Sequence, residues 1–219
     1  MLAPMLALLV HVQILGLLHP HAALVWADGA PQAVEARAGK TYGNQWITVE
    51  VRSLPKSMKR AYRGRLRVED GGAELRLINE VDLEDYVASV IGAEIAEGPP
   101  AARQALAITA RSFAIRADAA GHLCDTTHCQ WYRGLKRADI ESARATRGEI
   151  LKSNDGRVAW GFQSQDCGGA SADSHPRGPR GHGHGLGLCQ RGALFMATKG
   201  ASAHQILARY FPRFLIGRL

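Results

Sequence analysis

The stretch Leu83–Ala120 constrains the fold more than any other part of the chain, because it predicts two helices joined by a Gly-Pro-Pro elbow at residues 98–100. Asp82 is a candidate N-cap of the first helix, whose apolar residues recur at helical spacing. Pro100 suits the first turn of the second helix, since that position needs no amide donor. The second helix is small and apolar almost all round, which is typical of a central, closely packed helix.

Strand and turn patterns surround this helix pair. Two pairs of β-prone segments flank an Asp-Gly-Gly and an Asn-Asp-Gly turn, so each pair predicts a hairpin. Because strands and helices do not alternate regularly, we expect an α+β fold with a central helix pair packed on antiparallel strands and hairpins. The predicted strands are residues 47–51, 63–68, 73–81, 149–152 and 157–164, and the predicted short helices are residues 139–147, 192–199 and the segment that begins at Ser202.

The first 27 residues carry no formal charge and include an apolar run over residues 6–18, interrupted by His11 and Gln13. This pattern predicts a secretory signal peptide with cleavage after Ala27, or an uncleaved anchor. The run is shorter than the roughly 20 residues that a membrane span needs. We therefore expect an exported protein of the periplasm or cell envelope, with a linker at residues 28–44 and one domain over residues 45–219.

The chain is basic, with a formal net charge of +7 in 219 residues, and its cations crowd between Lys56 and Arg67. Such a stretch is either a solvated strand face or an attractor for a polyanion such as cell-wall polymer, nucleic acid or lipid head groups. No nucleic-acid motif accompanies it, so we expect no nucleic-acid partner. No G-x-S-x-G, P-loop, dinucleotide or H-E-x-x-H motif occurs, which leaves the familiar hydrolase, kinase and zincin classes without support.

Glu94 lies near the end of the first predicted helix and borders its apolar face. A carboxyl group at the edge of an apolar helix pair is a candidate general acid. A single glutamate on a helix is more commonly solvated or ion-paired, and its position alone does not separate the two interpretations.

The segment 122–129 is the densest set of possible soft metal ligands. His122, Cys124 and Cys129, with His128 beside the last cysteine, offer imidazole and thiolate donors that zinc prefers. In an oxidising compartment the four cysteines would instead pair as disulfides, most naturally Cys124–Cys129 and Cys167–Cys189, or they would remain thiols. A second unusual segment, residues 181–190, alternates glycine with His182 and His184; it predicts close backbone approach in a groove or a flexible linker.

A series of motifs runs in order from about Tyr62 to the C terminus. They are Asn79-x4-Glu84-Asp85-Tyr86-Val87, the Glu94-bearing segment 90–95, Ala105-Leu-Ala-Ile-Thr-Ala-Arg-Ser-Phe-Ala114, Cys124-x4-Cys-Gln130-x-Tyr132-x-Gly134, Ala145-Thr-Arg-Gly148, Ser164-x2-Cys-Gly-Gly169, Gly183-His-Gly-Leu-Gly-Leu-Cys-Gln-Arg-Gly-Ala193 and Ile206-Leu-x2-Tyr-Phe211. Together they resemble the SpoIID/LytB domain family, which contains stage II sporulation protein D and the amidase enhancers.

The resemblance implies an exported protein that acts on peptidoglycan. In the sporulation branch it implies a lytic transglycosylase, which cuts between N-acetylmuramic acid and N-acetylglucosamine in glycan strands that lack stem peptides. The family's catalytic acid falls on Glu94, and the zinc of some members falls on the loop with His122, Cys124 and Cys129. The candidate groove residues are Gln130, Tyr132, Ser164, His184 and Gln190, whose alternative role is structural hydrogen bonding in a Gly-rich core.

Two departures from the family pattern keep an alternative open. Arg103 stands where the family usually has an acidic residue, and the region between Gly169 and Gly181 is shorter than in many members. Both put tight glycan binding in doubt. The alternative is a non-catalytic wall-binding module that stimulates a partner N-acetylmuramoyl-L-alanine amidase, and a third reading is a disulfide-stapled secreted domain without chemistry.

Overall fold

The computed structural model describes residues 8–53, 56–134, 139–167 and 186–219. The first part of the chain is all strands apart from one 3-10 turn. These elements are β1 (Leu9–Gln13), the 3-10 turn Gly16–Leu18, β2 (Ala23–Ala27), β3 (Val34–Glu35), β4 (Thr41–Tyr42), β5 (Trp46–Ser53), β6 (Lys56–Arg63), β7 (Arg65–Asp70) and β8 (Leu75–Asp82).

The second part of the chain is mostly helical, with short strands between the helices. The elements are α1 (Leu83–Glu94), α2 (Pro100–Ala119), α3 (Ile140–Ala145), β9 (Glu149–Lys152), β10 (Gln163–Ser164), β11 (Leu188–Cys189), α4 (Gln190–Thr198), α5 (Ala203–Tyr210) and β12 (Leu215–Arg218).

The strands form two larger antiparallel sheets and two small ones. One four-stranded sheet has the order β1-β8-β7-β4, and the other has the order β3-β2-β5-β6. A short parallel pair joins β10 to β11, and an antiparallel pair joins β9 to β12. With five helices in the described ranges beside these antiparallel sheets, the predicted α+β fold is confirmed.

The predicted helix pair forms the centre of the molecule. The Asp82 carboxylate accepts a hydrogen bond from the Glu84 amide at 2.8 Å, so the predicted N-cap is present. Helix α2 begins at Pro100 and is buried along most of its length. It packs against α1 on one side and against α4, α5 and β9 on another, which places it between the two hydrophobic cores of the domain.

Buried Arg111 connects α2, on which it lies, to α1, α3 and β9. Its side chain is 0% exposed and makes a bidentate pair with Glu84, through Nε at 2.9 Å and Nη2 at 2.6 Å. The same guanidinium donates to the carbonyls of Glu149 and Ala143. A buried cation with all these acceptors is compensated, whereas removal of one partner would leave an unpaired buried charge.

The region that the sequence analysis assigns to a signal peptide and a linker takes part in both larger sheets. Strand β1 pairs with β8, and β2 lies between β3 and β5. Val10 and Val12 are buried while His11 faces outward, so the polar interruptions of the apolar run mark the alternation of a strand. Residues 28–44, predicted as a linker, contain β3 and β4.

The described residues contain no helix with the length and apolar character that a bilayer crossing demands.

The basic stretch of β6 and β7 is largely occupied by internal ion pairs. Arg65 and Arg67 both reach Glu80, and the guanidinium of Arg60 lies 3.1 Å from the Asp125 carboxylate. This pairing supports the interpretation of the stretch as a strand face rather than as a surface built for a polyanion.

The second predicted hairpin is only partly formed. Strand β9 occupies its first arm, but residues 157–159 pair with it only at one bridge, Lys152 to Val158. The Ala159 amide on the Leu151 carbonyl and the Ser153 amide on the Arg157 carbonyl close this bridge. The main partner of β9 is β12, a strand near the C terminus that the sequence analysis does not predict.

Candidate functional site

The carboxylate of Glu94 is held between two donors from distant parts of the chain. Glu94 is the last residue of α1 and is half-buried. Its Oε1 accepts a hydrogen bond from the backbone amide of Trp131 at 2.9 Å, and its Oε2 accepts one from the side-chain amide of Gln190 at 2.9 Å. Both donors are neutral N–H groups, and together they orient the carboxyl group.

Gln190 reaches Glu94 because α4 begins at this residue. The side chain of Cys189 caps the helix by accepting from the Gly192 amide at 3.3 Å. The Gln190 amide also lies 3.4 Å from Oε1 of Gln163 in β10. Gly187 allows this arrangement, since a Cβ there would collide with the Phe162 carbonyl oxygen.

A cavity of about 380 Å³ opens beside the carboxylate, within the usual size range of small-molecule sites. Its lining combines side chains from α1, α4 and the segment after β10. The lining residues are Glu94, Ile95, Gln165, Asp166, Gln190, Arg191 and Leu194.

Gln130 and Tyr132, predicted as groove residues, are buried in the core with 1% exposure each. The Tyr132 hydroxyl donates to Asn79 Oδ1 at 2.6 Å, and the Tyr86 hydroxyl donates to Gln130 Oε1 at 3.1 Å. Burial raises the pKa of both phenols, so both keep their protons and act as donors. These contacts fix the loop that carries the Trp131 amide, which makes Gln130 and Tyr132 supports of the site.

Trp131 is the site residue that the sequence analysis misses. Its backbone holds Glu94, and its side chain is 38% exposed, with the Arg133 guanidinium 3.9 Å from the ring centroid. Trp131 contributes to the site through its backbone amide, which no side-chain pattern in the sequence identifies.

Of the two other predicted groove residues, Ser164 and His184, the structure describes only Ser164. Ser164 is buried in β10, opposite Cys189 of β11. It therefore lies beside Cys189, the residue that precedes Gln190. His184 lies outside the described residues.

The predicted metal loop brings together Cys124, Cys129 and His128, whose ligand atoms lie within 4.8 Å of one another. His128 Nδ1 is 4.0 Å from Cys124 Sγ and 3.8 Å from Cys129 Sγ. His122, the predicted third ligand, is not in this group; its ring stacks on Trp160 with centroids 6.1 Å apart. The His128 amide donates a hydrogen bond to the Thr126 hydroxyl at 3.3 Å, and this turn brings the His128 ring to the two sulfurs.

Two thiols and one imidazole suit zinc by donor type. The two sulfurs lie 2.7 Å apart, whereas two sulfurs on one tetrahedral zinc are separated by about 3.8 Å. Zinc binding would thus open the pair by about 1 Å, while a disulfide would close it to about 2.0 Å. The hydrogen bond between the thiols lowers the pKa of Cys124 to about 4 and raises that of Cys129.

Strand β1 supports this loop directly. The Gln13 amide donates to the Leu123 carbonyl at 2.8 Å, and the Asp125 amide donates to the Gln13 carbonyl at 3.0 Å. The buried Asp125 carboxylate in turn accepts from the Leu15 amide and from Arg60. The loop therefore rests on a segment near the start of the chain.

Residues 71–152 match the family model SpoIID, described as stage II sporulation protein. The resemblance that the sequence motifs indicate is confirmed over this range, where the chain is similar to stage II sporulation proteins. The matched range contains Glu94, the Cys-His loop, Gln130 and Tyr132, whereas Ser164 and Gln190 follow it. A comparison with curated proteins finds no match.

Proposed function

We propose that this protein is a lytic transglycosylase of the cell envelope, which cleaves the bond between N-acetylmuramic acid and N-acetylglucosamine in peptide-free glycan strands. The observation that carries the proposal is the Glu94 carboxyl group, oriented by Trp131 and Gln190 at the edge of a cavity of about 380 Å³. The SpoIID match over the residues around Glu94 supports the substrate class.

A single carboxyl group suffices for this reaction. Protonated Glu94 gives its proton to the glycosidic oxygen as the C1–O bond breaks, and the sugar with the free hydroxyl leaves. Glu94, now a carboxylate, takes the proton of the muramoyl C6 hydroxyl while that oxygen forms a bond to C1. The product is a 1,6-anhydro end, and the proton balance of Glu94 is restored without water or a second carboxylate.

The neighbours of Glu94 fit both halves of this cycle. A carboxylate has room for about four hydrogen bonds, so the Trp131 and Gln190 donors leave further positions for the leaving oxygen and the C6 hydroxyl. Arg191, which lines the same cavity, is paired with Asp166 at 2.9 Å. The positive charge of Arg191 is therefore balanced by Asp166.

For the metal, we propose that Cys124, Cys129 and His128 would hold zinc. Bound there, zinc would act as a structural clamp on the loop. The residues of the loop then position the Trp131 amide on Glu94, two positions beyond Cys129. The binding partner that the transglycosylase function requires is the glycan strand. The alternative function, as an amidase enhancer, would also require an amidase.

The test is digestion of peptide-free glycan strands by the wild type, by Glu94→Gln and by Glu97→Gln, an exposed glutamate that serves as the matched control. By mass spectrometry we expect 1,6-anhydro ends in the digests by the wild type and by Glu97→Gln, and none in the digest by Glu94→Gln. If none of the three proteins forms product but glycan binding is retained, the proposed transglycosylase function is wrong, and the function as a wall-binding amidase enhancer is favoured.

A further inference from the structure

A second pair of cysteines lies beside the segments that build the Glu94 site. Strands β10 and β11 run in parallel, with Gln163 opposite Leu188 and Ser164 opposite Cys189. Beyond them the Arg191 amide donates to the Gln165 carbonyl at 3.1 Å. The residues that follow β10 therefore contact the first turn of α4.

Cys167 and Cys189 meet at the end of this contact. Their sulfurs and an Asp166 carboxylate oxygen lie within 4.8 Å of one another. Cys189 is buried, and its Sγ accepts hydrogen bonds from the Cys167 amide at 3.4 Å and the Gly192 amide at 3.3 Å. Cys189 immediately precedes Gln190, the donor to Glu94.

The surroundings favour a bond between the sulfurs over a shared metal ion. A zinc site needs three or four protein ligands, and the third candidate among the described residues, Asp166, is engaged with Arg191 at 2.9 Å. Using that carboxylate as a ligand would break the ion pair. A disulfide needs only the two sulfurs and leaves Asp166 and Arg191 in place.

We propose that Cys167 and Cys189 form a disulfide that fixes the start of α4, and with it the Gln190 amide, against Glu94. The oxidant is a small-molecule disulfide such as oxidised glutathione. One protein thiolate attacks it and forms a mixed disulfide, and the second protein thiolate then displaces the remaining glutathione. The two protein thiols are oxidised, two molecules of reduced glutathione leave, and these take up the two protons.

The bridge changes the stability of the site because it closes the chain between residues 167 and 189. Without it, the β10–β11 pair depends on two paired positions and the few hydrogen bonds that follow. A cross-link removes open conformations of the closed segment, so the amides at the start of α4 will exchange more slowly with solvent. This inference goes beyond the proposed function and does not require that Glu94 cleave glycan.

The test compares the full-length protein after equilibration with oxidised glutathione or with a reductant. Remaining thiols are alkylated, and non-reduced peptides are mapped by mass spectrometry. We expect a peptide pair linked through Cys167 and Cys189, and hydrogen–deuterium exchange of the peptide over residues 188–194 slowed about tenfold or more by oxidation. Cys167→Ser should abolish this slowing, and Cys189→Ser should do the same while a serine keeps the N-cap.

The double variant Cys124→Ser/Cys129→Ser is the control for the other cysteine pair, and it should still show the oxidation-dependent slowing of exchange over residues 188–194. Separate alkylation of Cys167 and Cys189 after oxidation would overturn the proposal, as would a link from either residue to Cys124 or Cys129. Stoichiometric zinc that is retained by the wild type and lost in Cys167→Ser would overturn it in favour of a metal site. Loss of transglycosylase activity in every sample would leave the peptide map unaffected, so the two proposals fail separately.

Discussion

The side-chain amide of Gln190 lies 2.9 Å from the carboxylate of Glu94, although the two residues are 96 positions apart in the chain. One stands at the last position of α1 and the other at the first position of α4. The elbow between α1 and α2 allows this approach. Gly98 has a φ of 136°, a conformation that favours glycine, and the end of the Leu194 side chain of α4 packs against it.

Replacement of Gln190 by leucine tests this contact. The change keeps the size of the side chain and removes one hydrogen bond to a charged group, which is worth about 1.5–3 kcal/mol. We expect transglycosylase kcat/KM to fall by roughly tenfold to a hundredfold. The readout is the initial rate of 1,6-anhydro end formation, with the melting temperature measured alongside.

Gln165→Leu is the matched control, because Gln165 lines the same cavity and is exposed. An equal loss of activity in both variants would mean that the cavity wall, and not the contact with Glu94, carries the effect.

Features set by neighbouring residues could be predicted from the sequence. Asp82 caps α1, and Ser202 and Gln205 form the capping box that opens α5, both as their spacing indicates. These features depend on hydrogen bonds within one turn, which a short window of sequence contains. The place of Glu94 at the end of an apolar helix makes it only a candidate, and its assignment as the acid comes from the family resemblance.

Features that depend on distant partners could not be read in the same way. The donor that Gln190 supplies to Glu94 and the pairing of β9 with β12 both need the tertiary arrangement. The apolar run over residues 6–18 predicts a leader, but an apolar run with two polar interruptions fits a strand as well. The pairing of β1 with β8 is a tertiary contact that the run itself does not reveal.

Removal of residues 1–27 tests whether this N-terminal segment is needed for folding. The deletion takes away β1 and β2, including the fully buried side chains of Val12 and Val25. It also removes the Gln13 backbone groups that hold the loop 122–129. We expect the shortened chain to lose cooperative thermal unfolding, measured by circular dichroism. A melting transition equal to that of the full chain would support the predicted leader boundary at Ala27.

The loss of folding stability at low pH should depend on Glu80. Burial alone would raise the pKa of this carboxyl, but hydrogen bonds from Arg67 and Arg65 outweigh it and hold the pKa below its ordinary value. A lowered folded-state pKa contributes stability above the unfolded value of about 4.3 and loses it as the pH falls through the folded value.

We therefore expect the free energy of unfolding of the wild type to fall below about pH 4, and that of Glu80→Gln to fall less over the same range. Urea unfolding between pH 7 and pH 3 measures both proteins. Glu97→Gln, a change at an exposed glutamate, should follow the wild-type profile. Parallel profiles for all three proteins would show that Glu80 does not control the loss of stability at low pH.

The choice of histidine at the cysteine loop gives the last prediction. His128 lies 4.0 Å and 3.8 Å from the two sulfurs, whereas the ring of His122 stacks on Trp160. If the reduced protein binds zinc, His128→Ala should weaken its affinity by at least about tenfold, as loss of a metal-site interaction typically does, and His122→Ala should leave it unchanged. Competition with a chromophoric chelator under reducing conditions measures both affinities. A larger loss in His122→Ala would restore the ligand set that the family resemblance implies, and it would require residues 122–129 to refold around the ion.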